Sequence, residues 1–325
     1  ILMMIFGVAI LLLNQISVKS RKSYTTVTGK SGQISKFNLG RSGKYIIAII
    51  LIIITFFTSI FPIVSFAFET FLPNPGDYSF LYTGDPDNLT TKWWVTNENI
   101  TENGMYGQQG ILYNDMIWHA YKGTIMVSVC CALTAGTIGT LIGYAVSKNR
   151  RSRWANYVNS VAFLPYLMPS IAVGVAFFIL FSNKYVNLFN TYALLIIVGT
   201  VKYIPFASRS SLNSMLQLSG EIEEAAIIQD IPWTKRMTRI IIPIQKTSII
   251  SGYLLPFMTC LRELSLFILL CVQGFILSTT LDYFDEMGLY AFSSGINLIL
   301  IVTILICNAL VNKATGASLD KGIGG

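Results

Sequence analysis

Six runs of apolar residues, each near the length of a membrane span, limit what this chain can fold into. They are Tyr45–Phe68, Gly123–Val146, Val158–Phe181, Tyr192–Phe206, Thr247–Leu270 and Ala291–Val311. Crossing about 30 Å of hydrocarbon takes about 20 mostly apolar residues in a helix. The fourth run is short for a span. A seventh run, Ile1–Ile16, is too short to cross. It lacks the basic start and small-residue cleavage site of a signal peptide, so it reads as the end of a helix that begins upstream. Only 12% of the 325 residues are charged and 53% are hydrophobic, against about 25% charged in an ordinary soluble domain. One soluble core cannot hide that much apolar surface. A cytosolic enzyme and a disordered chain are therefore excluded. The expected fold is an all-α membrane protein with six full transmembrane helices and a partial one before them.

The net charge of +7 raises the question of nucleic acid, and the placement of the charges answers it. Segments 17–44, 147–157 and 207–246 and the tail after 312 hold eighteen of the 23 basic residues. The intervening connections, 69–122, 182–191 and 271–290, hold only Lys92, Lys122 and Lys184, but ten of the sixteen acids. Basic and acidic connections alternate, as the positive-inside rule requires. The basic loops and the C-terminus are expected in the cytoplasm, with the chain passing repeatedly through the membrane. The positive charge reads as orientation, so no nucleic-acid partner is expected.

Groups with familiar chemistry are sparse. Cys130, Cys131, Cys260, Cys271 and Cys307 lie in or beside apolar runs without metal-ligand spacing, and read as small polarizable packing residues. His119, the single histidine, stands with Trp118 and Tyr121 in what looks like an interfacial aromatic belt. The outside segment 69–122 carries turn residues and Trp93–Trp94; it is too short for a sizeable domain but could cap the bundle. Within Gly123–Val146, Ser128, Ala132, Gly136 and Thr140 form one row of small residues, and Ala135, Gly139 and Gly143 the next. Such rows let helix backbones approach closely in lipid. Pro165 and Pro169 interrupt the third run, and freed carbonyls in a membrane must face protein or water. Lys202 reads as snorkelling from the cytoplasmic end of its helix. Arg262 and Glu263 fall in the middle of Thr247–Leu270. They are either an ion-paired lock between helices or the polar lining of a translocation path or gate.

One stretch is more specific. Glu223-Glu224-Ala225-Ala226-Ile227-Ile228-Gln229-Asp230-Ile231-Pro232-Trp233 runs on to Ile240-Ile241-Ile242-Pro243 in the longest cytoplasmic loop between membrane helices. It reads as two short helices with a break. Glu221, Glu223 and Glu224 suit the positive end of the first helix, and Pro232 ends it and opens the second. Small Ala225 and Ala226 between charges would admit a docking partner. This segment resembles the EAA loop of permease subunits of binding-protein-dependent bacterial ABC importers. Its pattern is Glu-Ala-Ala, three residues, Gly, nine residues, Ile, one residue, Leu, Pro. Glu224, Ala225, Ala226, Ile240 and Pro243 match; Ile242 stands for Leu, and Asp230 stands for Gly. Gly there would permit a turn with positive φ, which Asp tolerates better than most residues, and Asp can also cap the helix that follows.

The resemblance extends over most of 120–312. Tyr203-Ile204-Pro205-Phe206 with Arg209-Ser210, Leu261-Arg262-Glu263-Leu264, and Tyr24-Thr25-Thr26-Val27-Thr28-Gly29-Lys30 are similar to the ferric-iron branch, where two permease halves often share one chain. Permeases for phosphonate, thiamine, polyamines or oxyanions share parts of these signatures. The resemblance implies a type I ABC importer permease bundle over 45–312, with a coupling loop at 219–243. An upstream half would end at 16, with a linker at 17–44 and a tail at 313–325. It implies that Glu223, Glu224, Ala225, Ala226, Asp230, Pro232 and Trp233 couple to cytoplasmic ATPase subunits. The remaining implied partners are a substrate-binding protein outside the membrane and a second permease half. No phosphate-binding loop of the Gly-x-x-x-x-Gly-Lys-Ser/Thr kind occurs. ATP is then expected on the partner, and no cofactor on this chain. A membrane enzyme and a receptor or scaffold using 69–122 are the alternatives of other classes.

Overall fold

The computed structural model describes residues 40–74, 76–83, 89–100 and 107–315. The expected partial helix 1–16 lies outside them, as do most of the linker and the tail beyond Thr315. The chain divides into two units, Ile1–Phe68 and Glu69–Gly325.

In the first unit, α1 (Gly40–Thr55) passes through a π-helical turn, Phe56–Ile60, into α2 (Phe61–Glu69). The widened turn falls just before Pro62, whose ring would crowd the carbonyl four residues back and offers it no donor. Ser42–Glu69 is long and apolar enough to cross a membrane. Residues 40–44, which read as linker from their charges, are already helical.

The second unit begins with short helices, α3 (Phe80–Thr83) and α4 (Lys92–Val95). The long α5 (Asp115–Lys148) follows, then α6 (Arg153–Leu167), α7 (Ser170–Phe181) and α8 (Tyr192–Gln217). Next come α9 (Gly220–Ile228), α10 (Trp233–Arg236), a π-helical turn Met237–Ile241, α11 (Ile242–Ile244) and α12 (Lys246–Leu261). Helices α13 (Leu277–Glu286) and α14 (Tyr290–Thr315) close the fold. Side chains cap several starts: Asn114 accepts from Ile117 N at α5, Ser152 from Trp154 N at α6 and Thr191 from Leu194 N at α8. Apart from isolated bridges at Ile100–Gln108 and Ser182–Asn187, the described secondary structure is helical.

Four helices are long and apolar enough to span a membrane, or up to six if each of two bent pairs counts as one span. One bent pair falls where the sequence predicts a single span; the other, Trp233–Ile244 with Lys246–Leu261 at 86°, joins the second half of the expected coupling loop to the fifth run. Val158–Phe181 is split into α6 and α7 with a 101° bend. Pro165 stays inside α6, whereas Pro169 breaks the helix and becomes the N-cap of α7. Met168 before it is extended, at ψ 135°, as a residue preceding proline prefers. The apolar run Thr247–Leu270 leaves its helix at Leu261, and 262–276 crosses the interior as turns. An apolar run of that length does not distinguish a helix from a helix followed by buried turns.

The bundle is assembled around α5 and α8. A Cβ on Gly139 would stand 2.5 Å from the Ala207 Cβ, and one on Gly143 would stand 2.7 Å from Leu212 N. The small-residue row therefore brings the two backbones into contact, as predicted for close packing in lipid. Cys131, Leu194, Leu195, Val198, Leu266 and Phe267 fill the central core. At one end, Trp93 from the 69–122 segment is buried against Phe292 and donates to Leu72 O at 2.7 Å, so this segment packs as a cap. At the other end, Met215, Met237, Ile241 and Ile249 seat the coupling loop.

Candidate functional site

The expected coupling loop is a helix, a tight turn and a second helix. Ser219 caps α9, accepting from Glu221 N. At the other end Asp230 N donates to Ile227 O at 2.9 Å and Ile231 N donates to Ala226 O at 3.1 Å. This pair of bonds is a Schellman motif, which places its C′ residue in the left-handed region and usually employs glycine there. Asp230 occupies that position with φ 52°, the positive-φ turn expected at that position. Its expected role as a cap is not seen: Pro232 is the N-cap of α10, and no side chain caps that helix.

The two faces of α9 do different things. Glu223 and Ala226 are buried against the bundle, whereas Glu224, Ala225, Ile227 and Ile228 are exposed, Ile228 at 82%. Pro232 and Trp233 are exposed too. Of the two alanines expected to face a partner, only Ala225 is exposed. Glu223 was read with the docking residues but holds α9 to the bundle. Its carboxylate pairs with the Lys148 ammonium and accepts from the Tyr144 hydroxyl. Arg236 Nε stands 3.8 Å from Glu223 Oε1, beyond hydrogen-bond range, and its Nη1 donates to Ile231 O at 3.0 Å. Burial pushes the Glu223 carboxyl up, but the bonds from Lys148 and Tyr144 and the charge of Arg236 outweigh it. The carboxyl is held below its ordinary value. Trp233 packs near Tyr144, with ring centroids 6.2 Å apart. A cavity of about 580 Å³ opens beside the cluster, lined in part by Lys148, Arg150, Met215, Glu224 and Ile227.

Arg262 and Glu263 are not in mid-helix. Arg262 is the C-cap of α12, exposed, and without an ion pair among the described residues. Glu263 organises the turns that follow. Its Oε1 accepts from Leu266 N at 3.1 Å, and its Oε2 accepts from the Tyr203 hydroxyl at 3.0 Å. Its carbonyl accepts from Ser278 Oγ at 2.8 Å. The ion-paired lock is therefore absent at these two residues.

Lys202, beside Tyr203, was placed wrongly from the sequence. Helix α8 continues to Gln217, so Lys202 is near its middle and is buried rather than snorkelling. Its ammonium donates to Pro165 O at 3.0 Å and Met168 O at 2.6 Å, the carbonyls at the α6–α7 break. A proline-broken apolar helix beside another with a mid-span lysine was the available signal. His119 Nδ1 lies 2.9 Å from Gly274 O, and the Trp118–Tyr121 rings meet edge to face. Among the described residues no group of three or more His, Cys, Asp or Glu could hold a metal ion.

Comparison with known proteins fits this arrangement. The family described as "Binding-protein-dependent transport system inner membrane component" matches residues 135–317. A putative ferric transport system permease protein, FbpB 1 of Haemophilus influenzae, is 24% identical over 271 residues. That alignment takes in 83% of this chain but only 39% of the relative, so the chain spans well under half of that protein. The molybdate/tungstate transport system permease protein WtpB of Pyrococcus abyssi is 22% identical over 190 residues, 58% of this chain and 75% of the relative. Among solved structures, a bacterial ABC transporter involved in importing the acidic polysaccharide alginate contains a similar chain. The TM-score is 0.60 at 17% identity, over 86% of this chain and 99% of that one. At that identity the likeness speaks for the fold.

Proposed function

The chain belongs to the family of binding-protein-dependent transport system inner membrane components, the permease subunits of ABC importers, and from that membership we propose that it forms one half of a translocation path driven by partner ATPases. The observation that carries the reading is the division of α9 into two faces. Glu223 and Ala226 grip the bundle, and Glu224, Ala225, Ile227 and Ile228 are left facing outward. An exposed isoleucine at the tip of a short, well-capped helix is suited to enter an apolar groove. Glu224 and Lys235 on either side of the turn would fix its orientation. The groove belongs to a cytoplasmic ATPase, which binds and hydrolyses ATP. The C-terminus lies on the same side, a substrate-binding protein delivers cargo from the other, and a homologous permease half completes the path. Arg262, exposed at the end of α12, would then face that path or the second half.

Ferric iron is the proposed cargo. The alignment to a ferric permease takes in 83% of the chain and that to a molybdate/tungstate permease 58%. The Leu261-Arg262-Glu263-Leu264 signature points the same way. Oxyanion, phosphonate, thiamine or polyamine import is the second reading. Two experiments test the proposal. Wild-type chain should bring down an ATPase on purification, and Glu224→Lys or Ile228→Glu should abolish that and uptake together. An ATPase that stays bound with uptake intact would refute the docking face. A binding protein encoded beside this chain should bind ferric iron in preference to molybdate or putrescine; the reverse order would replace the cargo.

A further inference from the structure

The break between α6 and α7 takes the helical donors from several carbonyls, Pro165 O and Met168 O among them. In a continuous helix Pro165 O would accept from the amide of residue 169, but residue 169 is proline and has none. Met168 O would accept from Ala172 N, which bonds Pro169 O instead at 3.0 Å. Unsatisfied carbonyls in apolar surroundings are costly, and no lipid can answer them. Lys202 answers both, from the middle of α8.

We propose that Lys202 is the residue that sets this break: its buried ammonium replaces the donor that Pro169 lacks and holds the α6–α7 pair in its bent form. The next residue on α8 reaches the other interruption, where the Tyr203 hydroxyl donates to the Glu263 carboxylate at the start of the turns after α12. The two interruptions also touch. A Cβ on Gly174 in α7 would stand 2.7 Å from Leu266 O, and Val173 shares a core with Leu266 and Phe267. Lys202 and Tyr203 thus fasten both discontinuous stretches to one point of a continuous helix. As a positioning residue, Lys202 would keep α7 seated on the turns that carry Arg262 and Glu263.

The test is a distance. Spin labels at positions 157 and 179, both exposed, would lie about 33 Å apart along a straight helix rising 1.5 Å per residue. The 101° bend brings them to about 21 Å by the same rise. In the full complex in nanodiscs, wild type should give the short distance. Lys202→Met should shift or broaden it by several ångströms toward the long one. A wild-type distance in Lys202→Met would overturn the proposal. If that variant accumulates poorly, Pro169→Ala should rescue it, because the restored amide lets Pro165 O be satisfied in a straightened helix. A double variant as poor as Lys202→Met alone would equally overturn it. The distance is read without a transport assay, so its failure is separable from failure of the importer reading. Uptake by the rescued double variant, measured separately, should stay below a tenth of wild type, showing that the bend and not only the fold is needed; normal uptake would refute that role.

Discussion

The chain interrupts a helix at Gln229–Pro232 and again at Met168–Pro169, and it satisfies the freed carbonyls in opposite ways. In the coupling loop the answer is local. The amides of Asp230 and Ile231 turn back onto Ile227 and Ala226, and a single left-handed residue makes that possible. Inside the bundle no local donor is left, and the answer comes from Lys202, 34 and 37 residues along the chain. The turn after Leu261 is likewise tied to another helix, since the Tyr203 hydroxyl, 60 residues away, donates to the Glu263 carboxylate. A break at the polar end of a bundle can be self-contained. One in apolar surroundings has to be supplied from another helix, and so it ties the two helices together.

That contrast can be broken by experiment. The largest effect is expected at the interior. Glu263→Ala would leave the buried Tyr203 hydroxyl and Leu266 N without their acceptor, at about 2–4 kcal/mol for the two groups. Thermal unfolding of the purified chain in nanodiscs should show it, and a loss under about 1 kcal/mol would erase the distinction between the two kinds of break. An intermediate effect is expected where α9 grips the bundle. Glu223→Gln keeps the shape but gives up the ionic partners, costing about 1–2 kcal/mol, because Lys148 is a third exposed and partly screened. The gap should depend on pH with a definite sign. The Glu223 carboxyl is held below its ordinary value of 4.5, so its contribution is full above that value and is lost as pH falls through the lower folded one. The difference between wild type and Glu223→Gln should close over that fall and stay constant above it. A gap that widens toward low pH would contradict the assignment. The smallest effect is expected at the local turn. Asp230→Gly removes the cost of a left-handed non-glycine residue and should stabilise by about 0.5–1 kcal/mol. Destabilisation there would mean that the Asp side chain serves the turn in a way its backbone bonds do not show.

The same contrast explains what could be read from the sequence. Apolar length located the spans, because lipid imposes it residue by residue. The coupling loop was legible down to the positive φ at Asp230, because its geometry is made by neighbours in sequence. Residues whose partners lie far along the chain were not. Glu223 looked like one acid of a docking triplet until Tyr144 and Lys148 stood behind it. Lys202 looked like a surface cation because its helix seemed to stop at Phe206. Arg262 and Glu263 looked mid-helical because turns with buried apolar side chains have the composition of a helix. Glu223 and Lys202 are placed by long-range contacts, and Arg262 and Glu263 by turns, that periodicity and charge do not encode.

The contact of α5 and α8 through Gly139 and Gly143 has a mechanical meaning. With the backbones this close there is little side-chain material between the two helices to deform, so the pair should move as one body. The grip on α9 is at Tyr144 and Lys148, and the fastening of both interior breaks is at Lys202 and Tyr203. Cys131, which lies against α8 in the central core, is 13 residues from Tyr144, about 20 Å at 1.5 Å per residue. A displacement of α9 at one end of this pair would reach the broken helices through the contact of α5 with α8.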